Sequence, residues 1–476
     1  MKQYKMRSSI ITFILLLTTI SIGAQNLHSS YFLERMPYRH RLNPALINDY
    51  GYFSFPILGN IAVGLNSNIG ISTFLYPSLT KPNELNTFLH PDVDFNKFEK
   101  KLKNMNQIEP NFEITILSFG FFAFNGFNTF DLSVRSTNQI FLPKDFFTFL
   151  KLGQTGDATE YNISDMSIKS NTFAQLALGH AHEINDKLTI GAKLKFLVGG
   201  ANIDAKIDKM NILLSDNKWY IRSYGQADVS MAGASLKVNN KGEIDGFDLD
   251  TPGIGGFGGA VDLGATYKLL DNLTLSMALT DIGFIRWNNN LRGVTPDKEF
   301  IFEGFEHIGA EDGPNGDNAF DDETDKFTDD LEALAKFNKA DAPAARNTML
   351  YTTMNIGAEY GILNNKISFG LLSSTRFSTP KVWTELMGTV NFRPARWFMA
   401  AVNGSVSNMG CAWGAVINLC PRGFNLFIGT DYMITRVNSW FIPVDRANFN
   451  INFGINFPMS LNPKLKNKTV YKPVPY

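Results

Sequence analysis

The residues of this sequence best placed to do chemistry are charges set at alternate positions among small and polar neighbours. Asp131, Arg135, Lys193, Lys195, Asp262, Lys268, Glu359, Glu385, Arg393 and Asp431 each fall on the polar side of a segment whose other side is oily. Both signs are present in equal number. A charge-selective pore would carry one sign, so a mixed set points to internal ion pairing with neighbouring strands or with a plug. No G-x-S-x-G and no H-E-x-x-H occurs, so no catalytic residues are assigned and no enzyme is expected. An enzyme embedded in a barrel, with nucleophile and base far apart in sequence, is the weaker alternative. His180 and His182 share a strand face but are too few to hold a metal. The acidic run 309–332 lacks the D-x-[DN]-x-[DN]-G spacing of a calcium loop and reads as a solvated surface loop. Neither a metal nor a cofactor is expected.

Such charges need long, regular elements to position them. In "GFGGAVDLGATYKLLDNLTLSMALTDIGFIRW" (256–287), Phe257, Val261, Leu263, Ala265, Tyr267 and Leu269 alternate with Gly258, Ala260, Asp262, Gly264, Thr266 and Lys268. After Asp271-Asn272 the alternation resumes, with Leu273, Leu275, Met277 and Leu279 against Thr274, Ser276, Ala278 and Thr280. Period two is the strand signature, and the dipeptide between the runs is a hairpin turn. Soluble strands average five or six residues, whereas strands that cross a bilayer need about 9–11.

The N-terminus supplies an address. Lys2, Lys5 and Arg7 precede an apolar run from Ile10 to Ile22 and then Gly23-Ala24-Gln25. This is the layout of a signal peptide cut after Ala24, and the run is too short to span a membrane. Aromatic residues make up 13% and charged residues 19%, a balance that suits a lipid-facing barrel. A net charge of −1 argues against nucleic acid as a partner. The two cysteines, Cys411 and Cys420, lie too far apart on an extended segment for a disulfide.

Six short turns punctuate the chain: Asn125-Gly126, Asn185-Asp186-Lys187, Asp271-Asn272, Asn364-Asn365, Pro394-Ala395 and Pro421-Arg422-Gly423. They give twelve strands, and "IAVGLNSNIGI" and "FNINFGINF" add two. In "FEITILSFGFFAF" (112–124) the oily face switches near Leu117, which predicts a bulge. The fold class is therefore all-β, a transmembrane antiparallel barrel of about fourteen strands, with a soluble sandwich as the alternative. Connections 73–110, 141–170, 203–256 and 287–349 are long, as outer loops are in bacterial barrels. The expected organisation is a signal peptide 1–24, a plug 25–59, the barrel 60–459 and a basic periplasmic tail 460–476. The location is the outer membrane of a Gram-negative bacterium, with membrane lipid as a partner.

The plug candidate lacks alternation. "YFLERMPYRHRLNPALINDYGYFSFP" carries Arg35, Arg39, His40 and Arg41, then Asn43-Pro44-Ala45. Its irregular backbone suits a polar lumen and not lipid, and its charges need carboxylates such as Asp262, Glu359 or Asp431. Asn-Pro-Ala just after a signal peptide, ahead of about fourteen strands, resembles the FadL-like superfamily of outer-membrane long-chain fatty-acid channels. The 257–287 hairpin block looks like an uncharacterised branch of outer-membrane barrels, a domain of unknown function related to the PorV, PorQ and PorP/SprF proteins of type IX secretion and gliding. The resemblance implies that Asn43, Pro44 and Ala45 belong to a hatch inside the barrel. It implies either a plugged channel for small hydrophobic molecules or a secretion-associated barrel with periplasmic protein partners.

Three loop segments read as helices. Asp94 caps a face of Phe95, Phe98, Leu102 and Met105; Pro143 begins one with Phe146, Phe149 and Leu150; Thr328 begins a third with Leu331 and Leu334. Either they bury these faces against each other over the barrel mouth, or Phe95, Phe98, Phe146 and Phe149 line an apolar capture groove.

Overall fold

The structure, a computed structural model, describes residues 26–79, 84–216, 218–240, 242–250, 253–295, 298–302, 337–433 and 448–463. The expected signal peptide, the acidic run 309–332 and most of the basic tail lie outside these residues. So does most of the third expected helix, whose last residues, Asn338–Ala340, form a short strand instead.

Fourteen strands close on themselves. Strand β1 has two segments, Tyr50–Ser54 and Ile61–Ser67. Then come β2 (Met105–Ala123), β3 (Gly126–Pro143), β4 (Met166–Glu183), β5 (Leu188–Ser215), β6 (Gly256–Leu270) and β7 (Leu273–Asn288). The second half comprises β8 (Thr353–Ile362), β9 (Ile367–Arg376), β10 (Trp383–Ala395), β11 (Phe398–Ser407), β12 (Gly410–Leu419), β13 (Asn425–Thr430) and β14 (Phe449–Leu461). Each strand pairs antiparallel with the next, and both segments of β1 pair with β14 and β2, which seals the ring. Closure leaves no open sheet edge, as a bilayer demands.

The turns are short because local chemistry permits it. Phe124 and Asn125 both have positive φ, the type I′ geometry whose twist matches the flanking strands. The turn expected at Pro394-Ala395 falls two residues later, at Arg396-Trp397, because an irregularity between Phe392 and Ala395 keeps the proline within β10. The predicted bulge is present at Thr115/Leu117. Beside it, residues 55–60 run irregularly between the two segments of β1 but keep backbone hydrogen bonds to Ile455 on one side and to Thr115 and Ile116 on the other.

The barrel is inside out relative to a soluble protein. Leu194 on the outer face of β5 is 55% exposed while its neighbour Lys193, facing inward, is 2% exposed. Leu263, Met277, Ile356, Leu371, Val402 and Ile428 are likewise exposed. A face of this composition is stable only against hydrocarbon, so the barrel is transmembrane. The two halves differ in height. Strands β2 to β7 have 15 to 28 residues, and β8 to β14 have 6 to 13. The excess stands on the loop side. There β5 pairs with Trp219–Met231 and Ala158–Asn162, so much of what reads as loop between 203 and 256 is sheet.

Two helices lie in that outer region. Helix α1 (Phe95–Glu99) starts at Asp94, whose carboxylate accepts the Lys97 N–H at 2.8 Å. Helix α2 (Lys144–Leu152) starts after Pro143.

Candidate functional site

Residues 26–49 lie within the ring. They touch β2, β3, β5 to β10, β13 and β14, and a buried segment that meets strands right round a closed ring can only be inside it. The expected plug 25–59 therefore divides, because Tyr50–Ser54 can pair with β14 and joins the wall. Asn43, Pro44 and Ala45 form a tight turn in which the Asn43 carboxamide oxygen accepts the Ala45 N–H at 2.9 Å. Asn43 Nδ2 donates to Tyr31 Oη at 3.0 Å. The turn sits against glycines. A Cβ on Gly264 would lie 2.1 Å from Asn43 Oδ1, and one on Gly191 2.4 Å from the Pro44 carbonyl. Only glycine allows so close an approach.

One side of this segment is held by charge. Arg41 meets Glu113 of β2 and, at 3.0 Å, Asp131 of β3. Lys193 donates to Asp131 at 3.2 Å and to His40 Nδ1 at 2.7 Å. His40 Nε2 lies 2.7 Å from Tyr52 Oη, Tyr52 2.8 Å from Ser118 Oγ, and Ser118 donates to Asp131. Burial, then the Lys193 ammonium, hold the His40 pKa well below the ordinary range, which fits a neutral ring accepting at Nδ1 and donating at Nε2. The network continues through Arg135, Asp281, Lys195 and Asp262, with Lys195 at 2.7 Å from Asp262 and 2.6 Å from Asp281.

The other side is held mainly through backbone. Asp431 accepts the His28 and Ser29 N–H groups at 2.7 and 2.9 Å, and His28 Nδ1 lies 2.8 Å from Glu385. Burial opposes the charge on His28, but Glu385 and Asp431 outweigh it and raise its pKa. Towards the turn end, Arg393 binds Glu34, Glu359 and the Phe32 carbonyl.

Nine of the ten charges read as inward enter these networks. Lys268 shares their parity but sits at the strand end beside the turn and is solvent-exposed. Of the three arginines expected to meet inward carboxylates, Arg41 meets Asp131, while Arg35 and Arg39 find partners within their own segment. Arg35 pairs with Asp49 of its own segment, and Arg39 donates to the Tyr31 and Ile47 carbonyls. Asp262 is taken by Lys195, Glu359 by Arg393 and Asp431 by amide N–H groups, because these reach them without crossing the lumen. Sequence reading missed Glu113 and Asp281. Both lie beyond register shifts, at Thr115/Leu117 and Val261/Leu263, which turn their side chains inward. A charge on the apolar parity is the signal that could have flagged them.

On the loop side of the segment lies a cavity of about 90 Å³. Its lining mixes the charged Arg41, Glu113, Arg135 and Asp281 with Phe173, Leu350, Tyr351 and Trp383, and Arg135 lies over the Phe173 ring at 5.6 Å. The expected groove among the outer phenylalanines is closed. Phe98 is fully buried with Phe88, Phe147 and Leu102, while Phe95, Phe146 and Phe149 pack partly buried against the clusters of this cap. The exposed apolar surface that a groove needs is spent on packing. His180 and His182 stack at 5.8 Å, and His180 Nδ1 binds Asn128. No cluster of potential metal ligands occurs among the described residues.

The family model of DUF5723, a family of unknown function, matches residues 44–431. No curated protein matches the sequence. The toluene transporter TbuX of Ralstonia pickettii is similar in structure, with a TM-score of 0.41 and 8% identity over 89% of this chain and 94% of that one. For the Pseudomonas putida toluene transporter TodX the values are 0.39 and 10% over 92% and 94%, and for a Pseudomonas aeruginosa FadL homologue 0.37 and 9% over 92% and 98%.

Proposed function

The chain belongs to DUF5723, a family of unknown function, and from the geometry of its lumen we propose that it is an outer-membrane channel closed by its own residues 26–49. The observation that carries this reading is the set of contacts from that segment to strands right round the ring, with the cavity left on the loop side. The signal-peptide pattern and the inside-out surface support the outer membrane of a Gram-negative bacterium. The cavity's mixed charged and aromatic lining suits a small molecule with an apolar body and a polar end, entering from outside. The closed phenylalanine clusters favour the second reading, a structural or type IX secretion-associated barrel without transport and with periplasmic protein partners.

Deleting residues 26–49 separates the two. The channel reading expects a folded barrel, judged by heat-modifiable mobility in gels, that conducts ions in planar bilayers while the intact protein stays closed. It also expects small hydrophobic molecules to co-purify with the intact protein in mass spectra. Equal conductance from both chains, with a co-purifying protein and no retained small molecule, would favour the structural reading.

A further inference from the structure

One ion pair crosses the whole lumen. The Arg376 guanidinium at the loop end of β9 binds the Glu109 carboxylate of β2. In a ring of fourteen these strands are seven places apart in either direction, so they face each other. Strands about 4.8 Å apart and tilted by about 40° would hold opposite backbones of a circular ring roughly 28 Å apart. An extended arginine and glutamate together span well under half of that, so the walls are drawn together at this level. Lys169 of β4 also reaches across the lumen and donates to Thr379 Oγ1, just beyond Arg376, at 3.4 Å.

The carboxylate is prepared for that contact. Glu109 is fully buried, and its Oε1 accepts from Gln107 Nε2 at 2.6 Å and from Gln139 Nε2 at 2.8 Å, which leaves Oε2 to Arg376. Arg376 in turn lies over the ring of Trp383, its register partner on β10, at 5.5 Å. The pair stands at the outer rim of the cavity. Arg376 and Trp383 line that cavity, as do Asn111 and Glu113 of β2, and Glu109 is the next inward residue of β2 towards the loops. Parting the two leaves a buried carboxylate without its cation, so the contact resists opening.

We propose that Arg376 and Glu109 form the outer gate of the cavity, so that a solute from outside reaches it only when this pair parts, with residues 26–49 still in place. The cavity is then a chamber with two closures in series, an ionic one towards the loops and the lumenal segment towards the turns. The gate rests on the reading of the cavity as a solute site and adds the step that admits the solute. An ionic closure suits this position. A contact between two side chains opens by rotation of the arginine alone, whereas the phenylalanine cluster of the cap would have to unpack.

The test reads access to the cavity in the full-length protein in detergent. Cys411 and Cys420 are replaced by serine, and the buried, cavity-lining Thr280 is changed by Thr280→Cys to give the sole thiol. Its modification by a negatively charged methanethiosulfonate is followed by mass spectrometry. With the gate residues unchanged, labelling should be slow. Arg376→Gln and Glu109→Gln should each speed it by an order of magnitude or more, and the two together no further, since either breaks the same contact. Lys206→Gln, in an exposed ion pair with Asp208, should leave the rate unchanged. The two gate variants alter the local charge in opposite senses, so an electrostatic effect on the anionic reagent alone would speed one and slow the other. That pattern overturns the gate. So does fast labelling with the gate residues unchanged, or equally slow labelling in every variant. If one gate variant loses heat-modifiable mobility, the other is labelled with anionic and cationic reagents, and both must react faster. Conductance after deletion of residues 26–49 tests the lumenal segment alone, so failure of the closed-channel reading and failure of the gate are told apart.

Discussion

The wall formed by β2 to β7 and the wall formed by β10 to β14 enclose the same segment by opposite means. The first is tall and charged. Glu113, Asp131, Lys193, Lys195, Asp262 and Asp281 are buried there, and each has an ionic partner within reach. The second is short and neutral over most of its height. Its asparagines are as buried, several of them without a partner among the described residues, and among those residues its close charged contacts to the segment are at its ends, through Glu385 and Asp431 on one side and Arg393 on the other. The difference has a physical basis. A buried charge without a partner is so unfavourable that a charged wall must be fully paired, and pairing fixes geometry. A neutral amide tolerates water as its partner, so an amide wall needs no ionic partner for each side chain. The charged wall therefore acts as the clamp, and the neutral wall offers Met399, Val416 and Phe427 as a packing surface for Leu27, Leu33 and Met36.

Three substitutions probe that contrast by equilibrium unfolding in urea with lipid vesicles. Asp131→Asn strips one partner from Arg41, Lys193 and the His40 chain at once, and should destabilise by about 3–5 kcal/mol, the range for a broken buried pair. A loss below about 1 kcal/mol would mean that the charged wall is not the clamp. Asp431→Asn weakens two charge-assisted bonds from backbone N–H groups and should lose about 1.5–3 kcal/mol. Asn418→Leu removes an amide with no hydrogen-bond partner among the described residues, so its stability should stay within about 1 kcal/mol of wild type or rise. A loss as large as that of Asp131→Asn would erase the distinction between the walls.

Much of this barrel is legible in the residues. Period-two alternation names the lipid face, since one side of each strand must be apolar for hydrocarbon and the other must not. Asn-rich turns mark where strands reverse, and the switch of oily face near Leu117 announces the bulge that the structure shows there. What alternation cannot supply is the identity of partners across the lumen. The inward parity of Lys193, Asp262 and Asp431 follows from their own strands, but Arg41 chooses Glu113 and Asp131 because of where the segment turns at Asn43-Pro44-Ala45. That turn is seated by Gly191 and Gly264, two residues of other strands whose lack of a side chain matters only once the ring has closed. Glu113 and Asp281 lie past register shifts, where counting by twos fails. The buried asparagines of β10 to β13 come together only through the pairing of four strands. Local pattern thus determined the wall and its two faces, because a strand's faces are a property of its own backbone. Closure of the ring decided which charges meet and which amides go without, because those depend on distances between strands remote in the chain.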